Sequence, residues 1–302
     1  MAERLYIDGV DVFATFGAYP TEVSGLLTWA AFKPIQTTDW PDEDGIEANL
    51  QNPKLDAASH TLNVVVRNGN IENFMEFVYS SHLHSFQIPS IGYDKKLRIV
   101  GCSNMDAARS LGMVTLLLSE DAPLDGYAYQ EPLSTISQAH FKGIFMLDGR
   151  DITDYGCGLL VGANKAFRSY PNIKEGLVQS TSDTNGIIAD KGASILGQSR
   201  QVEVSLLLRA STIEEFWRNY NALYYDITQP GARELELVGE IPVECYYQSM
   251  NIQAFSAPRF AGDIVWMTLG ITFSTTQPIC ALMAEGDELI ISEDSQNNIL
   301  IR

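Results

Sequence analysis

An internal repeat constrains this chain more than any other feature. The N-terminal run Leu5-Tyr6-Ile7-Asp8-Gly9-Val10-Asp11-Val12 returns as Phe145-Met146-Leu147-Asp148-Gly149-Arg150-Asp151-Ile152. Phe16-Gly17 is answered by Tyr155-Gly156 after a one-residue shift. Farther on, Asp42-Glu43-Asp44-Gly45-Ile46 corresponds to Asp183-Thr184-Asn185-Gly186-Ile187, Leu62 to Arg67 corresponds to Val204 to Arg209, and Ile71-Glu72-Asn73-Phe74 corresponds to Ile213-Glu214-Glu215-Phe216. Short matches kept in one order at slowly drifting offsets are the mark of a duplicated fold.

Each copy reads as a mostly β unit. An apolar strand runs into Asp-Gly, a dipeptide suited to a two-residue hairpin turn because both central positions need positive φ. A second short strand follows, then a long polar stretch (residues 25 to 53 and 172 to 197). An apolar strand comes next, at 62 to 67 and at 202 to 209. A short amphipathic helix follows it. Its stripe is Ile71, Phe74, Met75 and Val78 in the first copy, and Ile213, Phe216, Trp217, Tyr220, Leu223 and Tyr224 in the second. Ser211 and Thr212 stand where an N-cap is needed, and Glu214 and Glu215 occupy the first turn, as capping and the helix dipole favour. Two or three strands close each copy, near 86–91, 97–102 and 112–119, then near 233–238, 241–251 and 264–275. The spacing predicts a mainly β chain of two tandem β-sandwich or barrel-like domains, each with one short α-helix, followed by a C-terminal β-hairpin. The expected boundaries are 1–121 for the first domain, 122–142 for a linker, 143–278 for the second domain and 279–302 for the hairpin tail.

The chain has 302 residues, enough for about two domains of ordinary size. Apolar residues make up 45% and charged residues 19%, a globular balance. Lys plus Arg number 20 and Asp plus Glu 38, so the formal net charge is −18. Such a surface favours solubility and repels phosphate. Stable nucleic-acid binding needs clustered Lys and Arg, and the densest basic spot, Lys95-Lys96-Leu97-Arg98, is too small. Cys102, Cys157, Cys245 and Cys280 lack C-x-x-C spacing, which argues against a zinc or redox motif and for reduced thiols. No signal peptide and no membrane-spanning run is expected.

Candidate chemistry is sparse. His82-x-His84 could place two imidazoles on one side of a strand, but no third ligand is near in sequence, and a solvent-facing loop pair is favoured. The Asp-Gly-x-Asp segments at 8–11 and 148–151 offer too few oxygens for a calcium loop, so a turn is favoured. Asp39, Asp42, Glu43 and Asp44 cluster beside Trp40, as paired acids beside an aromatic do in glycosidases, yet loops of so acidic a chain contain such clusters anyway. No nucleophile elbow and no phosphate-binding glycine loop is present. No catalytic, cofactor-binding or metal residue is assigned, and no cofactor is expected. Tyr246 and Tyr247 are adjacent in a strand and must point to opposite faces, so one is expected to be exposed and suited to a subunit contact.

The opening of each copy resembles the start of the tail-tube-like domain of phage distal tail and baseplate hub proteins. Leu147-Asp148-Gly149-Arg150-Asp151-Ile152-Thr153-Asp154-Tyr155-Gly156 carries the pattern best, and Ile7 to Val12 with Phe16-Gly17 carries it less cleanly. The resemblance implies a non-catalytic virion or prophage structural protein, cytoplasmic during assembly and then part of the tail. It implies self-association into a ring, either a trimer with pseudo-six-fold symmetry or a hexamer, contact with other tail proteins, and a lumen that DNA passes without specific binding. Two other classes stay open on the residues alone. One is a carbohydrate- or protein-binding β-sandwich module using exposed aromatics. The other is a hydrolase using the acids at 39 to 44.

Overall fold

The computed structural model describes residues 4–67, 70–107, 111–137, 139–176, 178–183, 185–189, 196–258, 260 and 262–277, together with short strands at 282–283, 289–293 and 298–301. The first repeat contains β1 (Tyr6–Ile7), β2 (Val10–Asp11), α1 (Val12–Phe16), β3 (Ala18–Glu22), β4 (Thr37–Thr38), β5 (Glu47–Ala48), β6 (Ala58–Arg67), α2 (Ile71–Val78), β7 (Leu83–Ile88), β8 (Tyr93–Ala107) and β9 (Leu111–Glu120). The second contains β10 (Phe145–Leu147), β11 (Arg150–Asp151), β12 (Cys157–Leu159), α3 (Ala163–Arg168), β13 (Val178–Gln179), β14 (Ile188–Ala189), β15 (Gln201–Ala210), α4 (Ile213–Ile227), β16 (Arg233–Leu237), β17 (Val243–Ser256) and β18 (Val265–Thr275). The first sheet runs β2-β1-β7-β8-β9-β6-β3, and the second runs β11-β10-β16-β17-β18-β15-β12. The two orders agree strand for strand. Each repeat is thus one open, antiparallel, seven-stranded sheet with its main helix on the apolar face.

The repeated motif folds the same way twice. Asp8 and Gly9 have φ of 51° and 78°, and Asp148 and Gly149 have φ of 50° and 74°. These are the two positive angles of a type I′ turn, which brings Ile7 opposite Val10 and Leu147 opposite Arg150. The next aspartate caps the helical turn that follows. Asp11 accepts from the amides of Phe13 and Ala14, and Asp151 from the amide and hydroxyl of Thr153. Gly17 and Gly156 then end that turn in the left-handed region, with φ of 69° and 70°.

Apolar residues at alternate positions of β6, β9, β15 and β18 face the helices. Leu62, Val64, Val66, Val114, Leu116 and Leu118 are buried in the first repeat, and Val202, Val204, Leu206, Leu208, Leu269 and Ile271 in the second. The buried cluster is continuous across both repeats. After it come β19 (Leu282–Met283), β20 (Leu289–Glu293) and β21 (Asn298–Ile301). β20 and β21 form the expected terminal hairpin, and β19 adds a third strand beside β20. The 294–297 turn between them lies outside the described residues.

Candidate functional site

Two excursions leave the sheets at the same place in the topology. One joins β3 to β6 and the other joins β12 to β15. Each is pinched at its base by an antiparallel bridge, Phe32 with Leu55 and Ile173 with Gly197. Each carries a two-residue ribbon farther out, β4 with β5 and β13 with β14.

The first excursion docks on the second repeat. Trp29 stacks on Tyr224 with ring centroids 5.0 Å apart and packs against Tyr220 and Tyr247, and Phe32 also meets Tyr247. The hydroxyls of Tyr220 and Tyr224 are satisfied by the incoming backbone. The Tyr220 hydroxyl donates to the Leu27 carbonyl, and the Tyr224 hydroxyl accepts from the Ala30 amide at 3.1 Å. From the β7–β8 turn of the first repeat, the Ile91 carbonyl accepts the Trp217 indole N–H at 2.6 Å. Burial pushes the Tyr220, Tyr224 and Tyr247 hydroxyls up from their ordinary values, so they stay protonated. Aromatics of this size supply most of the energy of such a contact.

A buried ammonium fixes the far end of the excursion. Lys174 of the second repeat is 8% exposed, and its three donors reach Asp39 Oδ1 at 2.5 Å, the Trp40 carbonyl at 2.7 Å and the Gly45 carbonyl at 2.7 Å. Three acceptors for three donors is the full complement of an ammonium. Beside it, Gly197 N–H donates to Asp44 Oδ1 at 2.7 Å, and Gly45 N–H donates to the Gly197 carbonyl at 2.9 Å. The contact is one-sided: the first repeat gives its excursion and its β7–β8 turn, and the second gives α4, β17 and the base of its own excursion.

The segment between the repeats forms a strap along α4. Asn219, fully buried, accepts from the Leu133 amide at 2.8 Å and donates to the Leu133 carbonyl at 2.9 Å. Glu215 accepts from the amide and hydroxyl of Thr135 at 2.8 and 2.6 Å. Burial works to raise the Glu215 carboxyl, but the hydrogen bonds from Ser211 and Thr135 outweigh it and leave the group below its ordinary value. An open cleft of about 430 Å³ lies between the strap and residues 150–154, and a second of the same size lies between Phe32, Leu55 and Tyr225. Both are shallow and mixed in polarity.

The structure places the sequence candidates as follows. His84 is 2% exposed, which corrects the expectation of a solvent-facing pair with exposed His82. Its Nδ1 lies 2.5 Å from Asp8 Oδ2 and its Nε2 lies 2.8 Å from the Val78 carbonyl, so both nitrogens have partners. Among the described residues, no group of three or more His, Cys, Asp and Glu side chains could hold a metal ion. The acids near Trp40 divide between tasks: Asp39 and Asp44 hold the second repeat, and Asp42 and Glu43 are exposed. Tyr246 is 6% exposed and Tyr247 is 0% exposed, which overturns the expectation of one outward tyrosine. Tyr247 is covered by Trp29 and Phe32 from the other repeat. The stripe on α4 was legible from its spacing. The partner of that stripe was not, because Trp29 lies in a stretch that reads as polar loop. No helix among the described residues is long and apolar enough to cross a membrane.

No protein-family model matches the chain, and the search of curated proteins gives no significant match. Among solved structures the chain is similar to one described as the crystal structure of SPP1 Dit (gp 19.1), a paradigm of the hub adsorption apparatus in phages that infect Gram-positive hosts. The identity is 14%, the TM-score is 0.32, and the match covers 49% of this chain and 52% of that one. The chain thus spans about half the length of that protein.

Proposed function

We propose that this chain is a non-catalytic structural subunit of a phage-type tail, assembling into a ring at the end of the tail tube. The observation that carries this reading is the one-sided docking of two like-folded units. The first repeat offers one surface and the second receives it on a different surface. Such a heterologous contact between like units does not close on itself as a two-fold pair does. It builds a ring when the rotation closes and a filament when it does not. Tandem tail-tube-like domains at 1–121 and 143–278, joined by a linker at 122–142 and followed by a tail at 279–302, fit a trimer with pseudo-six-fold symmetry. A hexamer with one repeat of each chain in the ring is the other arrangement. The repeated Asp-Gly-x-Asp opening supports the same family of assemblies. No site residue and no cofactor is assigned.

In this reading the protein assembles in the cytoplasm and then resides in the virion tail, beside other tail proteins. The charge of −18 suits a passage that DNA crosses without adhering. Negative-stain electron microscopy of the purified full chain tests the reading. Closed rings with a central hole are expected. Uniform single particles of one-chain size contradict it.

A further inference from the structure

We infer that the second excursion of one chain docks on the base of the first excursion of another chain, repeating between chains the contact seen within the chain. This inference rests on the ring reading above and names its contact surface.

The two excursions match bond for bond at their bases. Lys33 N–H donates to the Lys54 carbonyl at 2.7 Å, as Lys174 N–H donates to the Leu196 carbonyl at 2.7 Å. Asp56 N–H donates to the Ala31 carbonyl at 2.9 Å, as Gln198 N–H donates to the Asn172 carbonyl at 2.7 Å. With the bridges, these bonds equate Phe32 with Ile173, Lys33 with Lys174, and Leu55 with Gly197. The ribbons equate Thr37 with Val178 and Glu47 with Ile188, so the tips equate Asp44 with Asn185 and Gly45 with Gly186.

What differs is cover. Within the chain, the first tip is seated on Lys174 and Gly197, and Ile46 is half-buried with its amide on the Thr276 carbonyl at 2.8 Å. Among the described residues the second tip has no such seat in its own chain. Ile173, Val178, Ile187 and Ile188 are 62%, 45%, 65% and 54% exposed. Two of these stand where the first ribbon has Thr37 and Glu47, so the second ribbon is the more apolar, and its tip is the less buried. Adjacent exposed apolar residues on one segment mark a contact surface.

The receiving surface is equally specific. Lys33 is exposed and stands in the place of the buried Lys174. The bonds flanking the Phe32–Leu55 bridge direct the Leu55 N–H and carbonyl away from Phe32, as those of Gly197 point away from Ile173 toward Asp44 and Gly45. The equivalent contact therefore sets Lys33 against the Gly186 carbonyl, Asn185 Oδ1 against the Leu55 N–H, and Gly186 N–H against the Leu55 carbonyl. Ile173, Ile187 and Ile188 become buried. The occupant is a second copy of this chain, because this chain carries both halves of the pair, one on each excursion.

Cysteine pairing tests the contact. Full-length Asn185→Cys is mixed with full-length Leu55→Cys under mild oxidation, with the parent chain as control. The mixture is expected to give disulfide-linked dimers of one chain of each kind, and either variant alone none. Ile187→Asp and Lys33→Glu are each expected to weaken assembly at least tenfold by light scattering while leaving the melting temperature of the separated chain unchanged. If the parent chain forms rings but the mixture does not cross-link above the single variants, this contact is wrong and the ring reading stands. If the parent chain is monomeric throughout, both fail.

Discussion

Asp8 and Asp148 each tie a turn to a strand and to a helix end. Asp8 Oδ1 accepts the Ser85 amide at 2.8 Å, and Asp148 Oδ1 accepts the Glu234 amide at 2.8 Å. The second oxygen meets a base that also touches carbonyls at the end of the helix. In the first repeat that base is His84, on the Val78 carbonyl. In the second it is Arg233, 2.7 Å from Asp148 and 3.4 Å from the Asp226 carbonyl. For Arg233, a cation near a helix C-terminus is favourable, and a charged hydrogen bond adds to it. Asp148→Ala should cost about 2 kcal/mol in urea unfolding, the usual scale for a hydrogen bond to a charged group. Gly149→Ala adds a side chain at φ 74° in open space, so its cost should stay near the left-handed penalty of about 1 kcal/mol. Gly156→Ala should cost more, since its Cβ would lie 2.6 Å from the Arg209 carbonyl oxygen.

Acid should unfold the protein through such carboxylates. Burial raises the Asp8 carboxyl, and the Ser85 amide and His84 outweigh it. Burial raises Glu120 too, and His60 and Lys95 outweigh it there. Asp121, bonded to Arg98 and Ser119, is lowered to about 2. Because these folded values are depressed, the stabilisation is complete above the unfolded-chain value of about 4 and is lost as pH falls through the folded values. The melting temperature should therefore drop below about pH 4, and Lys95→Met should flatten that drop. At this scale the Asp-Gly turns were legible in the sequence, because dipeptide chemistry sets them. The His84–Asp8 pair was not, since its members stand 76 residues apart.

Among the elements, α4 has more partners than its stripe implies. Its spacing and its cap were readable, and Thr212 does accept from the Glu215 amide at 3.1 Å. Thr212→Ala should cost about 1 kcal/mol. Its aromatic positions serve two units at once: Phe216 and Leu223 belong to their own core, and Trp217, Tyr220 and Tyr224 meet the first repeat. A one-dimensional stripe cannot show that division. Trp29→Ala should cost about 3–5 kcal/mol, the range for emptying a buried aromatic site, measured by chemical denaturation. Asn219→Ala removes both bonds to Leu133, so the strap should open and limited proteolysis should cut within 131–137 faster than in the parent chain. Strand alternation misled at Tyr246 and Tyr247. Alternation gives the direction of a side chain but does not say what covers it, and at Tyr247 part of the cover comes from a loop some two hundred residues earlier.

For the whole molecule, duplication was the legible part and docking the illegible one. Matches in one order at slowly drifting offsets implied two like β units, and the same strand order in both agrees with that. Which surface of one repeat meets which surface of the other depends on contacts such as Trp29 with Tyr224 and Asp39 with Lys174, far apart in the chain and absent from any local pattern. The shared core implies that the repeats unfold together, so fluorescence and circular dichroism should report a single coincident transition. The most direct test of head-to-tail assembly is the mass of the intact chain in solution by sedimentation velocity. One discrete species at a whole-number multiple of the chain mass, the same at every concentration above the assembly threshold, is the expected result. A single-chain mass across the whole concentration range would contradict it.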